Sequence, residues 1–367
     1  METPLKKLYQ TNSLTGEELL YLLNNLDPGT EKLLFSLTHQ TRKKYYGRKV
    51  YLRGLVEFSN YCRQNCLYCG LRRDNRHISR YRLRREEIWH LCQRGYRLGF
   101  RTFVLQSGED PYYTDELLED IIAGLKERCP EAAVTLSLGE KSRQSYHRYY
   151  AAGADRYLLR HETAAGHLYA GLHPGMSLQN RQKCLQDLKA IGYQVGAGFI
   201  VGLPGQGNRE LVADLLYLKE LQPHMVGIGP LIVHPDTPLK DCPNGTSKKT
   251  LICLALTRLL LPEALLPATT ALNVLSPTGL ERGLAAGANV VMLNLAPASV
   301  RVKYELYKGR VQDDLEGQAL LERMKARILR AGFAVDMGRG DHPDWTDQEK
   351  RGAVENGPGN DEVKANG

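Results

Sequence analysis

Several absences narrow what this 367-residue chain can be. It has no run of 18 uncharged apolar residues, so no membrane-spanning helix is expected. Its start, "METPLKKLYQTNS", does not lead from basic residues into an apolar stretch with a small-residue cleavage site; a soluble, cytoplasmic protein is the reading. Eight cysteines are too few for a disulfide framework, and five of them (Cys92, Cys129, Cys184, Cys242 and Cys253) are scattered singly, as small apolar residues in a reducing compartment would be. No G-x-G-x-x-G follows the first predicted strand, which argues against a dinucleotide-binding doubly wound sheet. Nothing resembles a Ser-His-Asp or Cys-His system: His161 and His234 are the only histidines near predicted strand ends, and both read as structural.

What is present begins with 42% apolar residues, enough for a sizeable core, and a net charge of +8. Part of that charge lies in "RRDNRHISRYRLRR", from Arg72 to Arg85, which holds seven arginines. Such a run can grip phosphates, form a solvated face, or dock an acidic electron donor. Only Tyr81 interleaves it and no appended RNA-binding module is visible, so nucleic acid is disfavoured as a partner.

Residues 1–46 read as a helical N-terminal extension, with Thr15 as the N-cap of the segment "GEELLYLLNNL". Beyond it, short β-branched runs alternate with amphipathic segments. Eight strand candidates emerge, at 50–58, 102–106, 133–138, 156–160, 194–201, 225–229, 265–270 and 289–294. The glycines of "LGF", "AGAD", "IGY" and "AGAN" fit helix C-termini just before the next strand. Eight βα units predict a complete (β/α)8 TIM barrel over 47–338, whose active site would lie at the strands' C-terminal ends. From 339 to 367 the chain turns Gly-, Asp- and Asn-rich and reads as a flexible tail. A monomer is the default.

Directly after the first strand candidate stands "FSNYCRQNCLYCGLRRDN", with Cys62, Cys66 and Cys69 spaced C-x3-C-x2-C. A structural zinc site closes with four ligands, and only His77, inside the arginine run, offers a near fourth. The bacterial ferredoxin run, C-x2-C-x2-C with a fourth Cys and a Pro, also fails to match. Three thiolates on a [4Fe–4S] cluster would leave one iron open, and an open position is how a metal site does chemistry.

The motif, with aromatic Tyr68 just before its third cysteine, resembles the signature of radical S-adenosylmethionine (SAM) enzymes. The segments "LQSGEDPYY", "VTLSLGE", "RYLLRHETA", "GFIVGLPGQ", "MVGIGPLIVHPDTPL", "LLPATTA" and "VVMLN", in order from about residue 50 to 310, resemble the HydE family of [FeFe]-hydrogenase maturases. Biotin synthase and the methylornithine synthase PylB share the superfamily motifs and stand as the alternative, on a small organic substrate. A non-enzymatic cluster scaffold is a third reading, which the strand-end motifs argue against. The resemblance implies one [4Fe–4S] cluster on the three cysteines, SAM on the open iron, and an external one-electron reductant. It further implies a small organometallic or thiol-containing substrate, attacked at sulfur by a 5′-deoxyadenosyl radical while the diiron part of the H-cluster is assembled. Transient contact with other hydrogenase maturases follows.

Side chains two apart share a strand face, which by itself puts Leu158, Arg160 and Glu162 together, and Thr135 with Ser137. An Arg and a Glu facing a barrel interior either bind something or pair with each other. The resemblance assigns Glu162 to SAM, Arg160 to the reaction cavity, and Thr135 and Ser137 to the SAM and substrate cavity. It places Ser107 and Glu109 near the methionine amino group, with Gln106 facing the cavity, and gives Arg181 the SAM carboxylate, a natural guanidinium task. Tyr68, Met292 and Tyr304 go with SAM; Thr269, Thr270 and Tyr307 go with the substrate end. Met292 is otherwise an ordinary core residue.

Overall fold

The computed structural model describes residues 3–309 and 315–345. Three helices, α1 (Pro4–Thr11), α2 (Gly16–Asn24) and α3 (Pro28–Tyr46), fill the stretch read as a helical extension. Thr15 caps α2 in a reciprocal box: its hydroxyl accepts from Glu18 N–H, and the Glu18 carboxylate accepts from Thr15 N–H. These helices join the outer layer. Leu8, Leu19 and Leu34 enter the main core, and buried Arg42 on α3 donates to the carbonyls of Ala288, Gly47 and Lys49.

Ten strands follow: β1 (Lys49–Ser59), β2 (Thr102–Ser107), β3 (Ala133–Ser137), β4 (Arg156–Leu158), β5 (Gln194–Ala197), β6 (Ile200–Val201), β7 (Met225–Val226), β8 (Gly229–Pro230), β9 (Val290–Asn294) and β10 (Ala334–Asp336). One parallel sheet runs β10-β1-β2-β3-β4-β5-β7, with β9 also paired to β1; β6 and β8 form a separate pair. The glycines predicted to end helices, Gly99, Gly153, Gly192 and Gly287, all have φ between 98° and 111°, where a side chain would be strained.

As a ladder the sheet is a curled half-barrel rather than the complete ring read from the sequence. The fifth and sixth strand candidates each split in two, and the seventh, 265–270, forms no strand. Single bridges join Met225 to Leu265 and Pro267 to Val290. The physical reason is local. Pro267 has no N–H to give a ladder, and a helix already begins at Thr270.

Strand parity sorts β1 cleanly. Val50, Leu52, Val56 and Phe58 enter the helix-facing core, while Arg53 lies at the floor of the sheet's inner face and Leu55 and Glu57 line a cavity above it. The floor is polar. Arg53 and Arg156 are fully buried there, and the chain after β10 closes over them. Asp341 accepts from Arg156, Gln194 and Arg339, Arg339 also pairs with Asp155, and Trp345 is buried. Residues 339–345 therefore belong to the packed fold rather than to a flexible tail, because they carry the carboxylate that neutralises Arg156. The rest of the expected tail, 346–367, lies outside the described residues.

Candidate functional site

A cavity of about 370 Å³ opens at the C-terminal ends of the strands. Its first wall is the loop after β1, which has few internal backbone bonds and is fastened from outside. Asn60 donates to the carbonyls of Ser79 and Lys303 and accepts from Tyr81 N–H. The Arg80 guanidinium donates to four carbonyls, those of Asn60, Leu71, Arg72 and Asn75, tying both ends of the loop together. Much of the arginine run is spent this way: Arg82 grips buried Asp110 with two bonds of 2.8 and 2.9 Å, and Arg84 and Arg85 pair with Glu87, Glu86 and Asp120.

That loop holds Cys62, Cys66 and Cys69 on the cavity wall as free thiols. Burial pushes all three pKa values up, Cys69 to about 12, and for Cys66 and Cys69 the neighbouring sulfurs push further. Three buried thiols whose thiolates would repel one another make a poor set of nucleophiles and a good donor set for a cationic metal centre, which deprotonates its ligands.

The loop after β2 packs directly on this wall. Glu109 N–H points at Cys62 Sγ, 3.4 Å away, and the Glu109 carboxylate accepts from Arg63, Gln64 and Glu140 N–H. A Cβ on Gly108 would lie 2.2 Å from Tyr61 O, and one on Gly139 would lie 2.2 Å from Glu109 Cγ; only glycine permits these approaches.

Arg160 and Glu162 lie past the end of β4 and do pair, at 2.7 Å, inside the cavity. Glu162 holds left-handed backbone (φ 66°), fixed by Glu162 N–H to Gly198 O and Ile200 N–H to Glu162 O. Burial works against the charge of Arg160, but Glu162 outweighs it and keeps the guanidinium pKa above its ordinary value. Arg181 is buried, donates from Nε to Glu140 at 2.7 Å, and bonds the carbonyl of Arg160. Tyr68 donates to neutral His173, whose pKa burial lowers and whose other ring nitrogen lies 2.9 Å from Tyr169 O.

The far end of the cavity is built from Gln106, which donates to Tyr304 Oη at 3.2 Å, from Thr270 with Tyr307 at 2.6 Å, and from Thr269 and Met292. Ser107 and Ser137 also line it. Thr135 is the one predicted site residue outside the lining. It stands two residues, or about 6.6 Å, below Ser137 on β3, level with Val104 and Arg156, and its buried hydroxyl has no hydrogen-bond partner among the described residues. Four cavity or support residues escaped the sequence reading: Glu57, which accepts from Asn294; Gln64; Glu140; and His173. Parity along β1 would have found Glu57, and "LSLGE" contains Glu140. Nothing local marks His173.

The family model described as Radical SAM superfamily matches residues 56–218. The chain is 50% identical to the [FeFe] hydrogenase maturase subunit HydE of Thermotoga maritima, over 84% of this chain and 87% of that one. It is 28% identical to a 3-methylornithine synthase of Methanosarcina acetivorans over 78% and 81% of the two chains. The crystal structure of methylornithine synthase (PylB) superposes with a TM-score of 0.80 at 27% identity, covering 91% of this chain and 97% of that one.

Proposed function

This chain belongs to the HydE family of [FeFe]-hydrogenase maturases and is a radical SAM enzyme; from that premise we propose how its cavity works and on what. Cys62, Cys66 and Cys69 would hold one [4Fe–4S] cluster, and three protein ligands would leave one iron for SAM. When bound and reduced, that cluster supplies the electron that splits SAM into methionine and a 5′-deoxyadenosyl radical. The chain's own side chains then do the remaining work. Glu109 and Ser107 face the methionine ammonium, Arg181, itself held by Glu140, takes the methionine carboxylate, and Glu162 contacts SAM. Tyr68, Ser137, Met292 and Tyr304 form the adenosyl wall. The lining carries three carboxyl groups (Glu57, Glu109 and Glu162) and two guanidinium groups (Arg160 and Arg181), a balance suited to a ligand with one net positive charge such as SAM.

Residues 265–267 complete the eight-stranded ring, a reading supported by the single bridges to Met225 and Val290 on its two sides. The closed wall keeps water from the radical. Arg160, Gln106, Thr269, Thr270 and Tyr307 would orient a small sulfur-containing organometallic substrate with its sulfur toward the adenosyl end of bound SAM, for assembly of the H-cluster's diiron subsite. Other maturases deliver and receive it transiently.

The observation that carries this reading is the convergence of three free thiols with the Arg160–Glu162 and Arg181–Glu140 pairs around one strand-end cavity. The test mixes this chain, reduced and supplied with SAM, with its partner maturases and apo-[FeFe]-hydrogenase, then measures hydrogen evolution. Activity that needs this chain supports the proposal. SAM cleavage without any hydrogenase activation would instead point to an organic substrate of the methylornithine-synthase kind.

A further inference from the structure

The arginine run is not exhausted by its structural duties. Its acidic partners lie underneath: Arg63 is 58% exposed above Glu109 at 7%, and Arg82 is 34% exposed above Asp110 at 1%. At these two pairs solvent meets the guanidinium group, with the carboxylate beneath it. Arg73 is exposed and pairs only with exposed Asp74, and exposed Arg76 has no partner among the described residues. Between Arg63 and Arg85 the chain holds a single acidic residue, Asp74, against eight arginines. Arg80 ties the loop with four bonds and Arg82 grips Asp110, whereas the Arg73 side chain reaches only exposed Asp74 and that of Arg76 fastens nothing among the described residues.

A second feature marks the same face. The Arg82 guanidinium is sandwiched 3.8 Å from the Tyr61 ring and 4.8 Å from the Tyr112 ring. Tyr112 is half exposed, a large apolar residue amid the charge. Tyr61 immediately precedes Cys62, so the stack leads from the surface to the residue next to a cluster ligand. Aromatic and arginine side chains with a charged rim are the composition of a protein-docking patch.

We propose that this face, with Arg63, Arg73, Arg76, Arg82 and Tyr112 outermost, docks an acidic one-electron carrier protein that reduces the centre held by the cysteine loop. The inference rests on the radical SAM reading and names its reductant class. In each turnover the carrier gives up one electron and is oxidised by one. That electron ends in cleavage of the sulfonium C5′–S bond of SAM, leaving methionine and a carbon radical, with no proton transferred. The positive face raises the encounter rate with an acidic carrier and makes it fall with salt.

The experiment compares the loaded wild-type chain with the charge-reversed variant Arg73→Glu/Arg76→Glu and the charge-retaining Arg73→Lys/Arg76→Lys. Each is reduced either by an acidic flavodoxin hydroquinone or by dithionite, and flavodoxin binding is followed separately by fluorescence anisotropy from low to high salt. The reversed variant should bind flavodoxin about 10-fold more weakly at low salt and lose most of the salt dependence. Its flavodoxin-driven SAM cleavage should fall in step, while dithionite-driven cleavage stays within about twofold of wild type and the lysine variant behaves as wild type. Unchanged flavodoxin binding overturns the proposal, and so does a rate loss that is equal with dithionite. A wild-type chain that binds a mixed-sequence RNA through these arginines while its flavodoxin kinetics ignore them would assign the face to nucleic acid instead. Failure of all dithionite-driven cleavage, in wild type as well, would be a failure of the radical SAM reading and not of the docking face.

Discussion

Gly108→Ala is the most economical perturbation of the candidate site. Gly108 is not in the positive-φ region, so alanine brings no left-handed strain of its own. It brings one Cβ, which would lie 2.2 Å from the Tyr61 carbonyl oxygen and 2.7 Å from Cys62 Cβ. Cβ atoms essentially never come closer than 3.0 Å to a neighbour, so the first contact is 0.8 Å inside that limit. Neither obstacle is a flexible side-chain end. The loop after β2 and the cysteine loop must separate, and Cys62 must move with its backbone. Overpacking of this kind destabilises by about 1–3 kcal/mol, and a displacement near 1 Å at a reacting centre can lower a rate about 100-fold. The assay is iron and sulfide content after anaerobic reconstitution, followed by SAM cleavage. G108A should load incompletely and cleave at least about 10-fold more slowly while still folding. Gly166→Ala, in a helix with nothing within 4 Å of its Cβ, is the control and should behave as wild type. A G108A protein with full iron and full rate would refute the claim that the Gly108 contact sets the position of Cys62.

Other outcomes follow from the same coordinates. Cys66→Ala should lose most bound iron and all SAM cleavage, measured by iron content and chromatographic analysis of 5′-deoxyadenosine; retained cleavage would remove Cys66 from the ligand set. Thr135→Val should leave SAM cleavage within about twofold and raise stability by about 1 kcal/mol, since it removes a buried hydroxyl with no partner; a large rate loss would mean that Thr135 does reach the reactants. Asp341→Asn should cost about 3 kcal/mol in urea unfolding at pH 7, near the low end for breaking a buried pair because Asp341 is 24% exposed. Despite burial, Arg156 and Arg339 hold the Asp341 pKa below its ordinary value. Its stabilisation is therefore complete above the unfolded-state pKa of about 3.9 and is lost as pH falls toward the folded value, so the two proteins should converge below about pH 4.

The cysteine loop and most strands were legible because their signals are local. The C-x3-C-x2-C spacing, the β-branched runs and the helix-ending glycines each occupy a few adjacent residues. Parity along β3 likewise placed Ser137, and parity carried beyond β4 paired Arg160 with Glu162 although both lie past the strand's end. What escaped depended on contacts between distant segments. Pro267 looked like part of a strand because its neighbours are apolar, but a missing N–H leaves only bridges there. Thr135 shares a face with Ser137, yet depth along the strand, which parity does not report, takes it below the cavity. The segment 339–345 is mostly polar, and reads as a tail until Arg156 and Gln194, 185 and 147 residues earlier, are seen to need Asp341. His173 and Glu140 act by holding Tyr68 and Arg181, and a residue that works through another leaves no motif of its own.

The central claim is that the three thiols of the cysteine loop hold a cluster with one iron reserved for SAM. Electron paramagnetic resonance of the anaerobically reconstituted, dithionite-reduced chain, before and after SAM, tests it most directly. The account predicts a reduced [4Fe–4S] signal that shifts when SAM is added, with 5′-deoxyadenosine and methionine forming in equal amounts. A signal indifferent to SAM, with neither product formed, would contradict it.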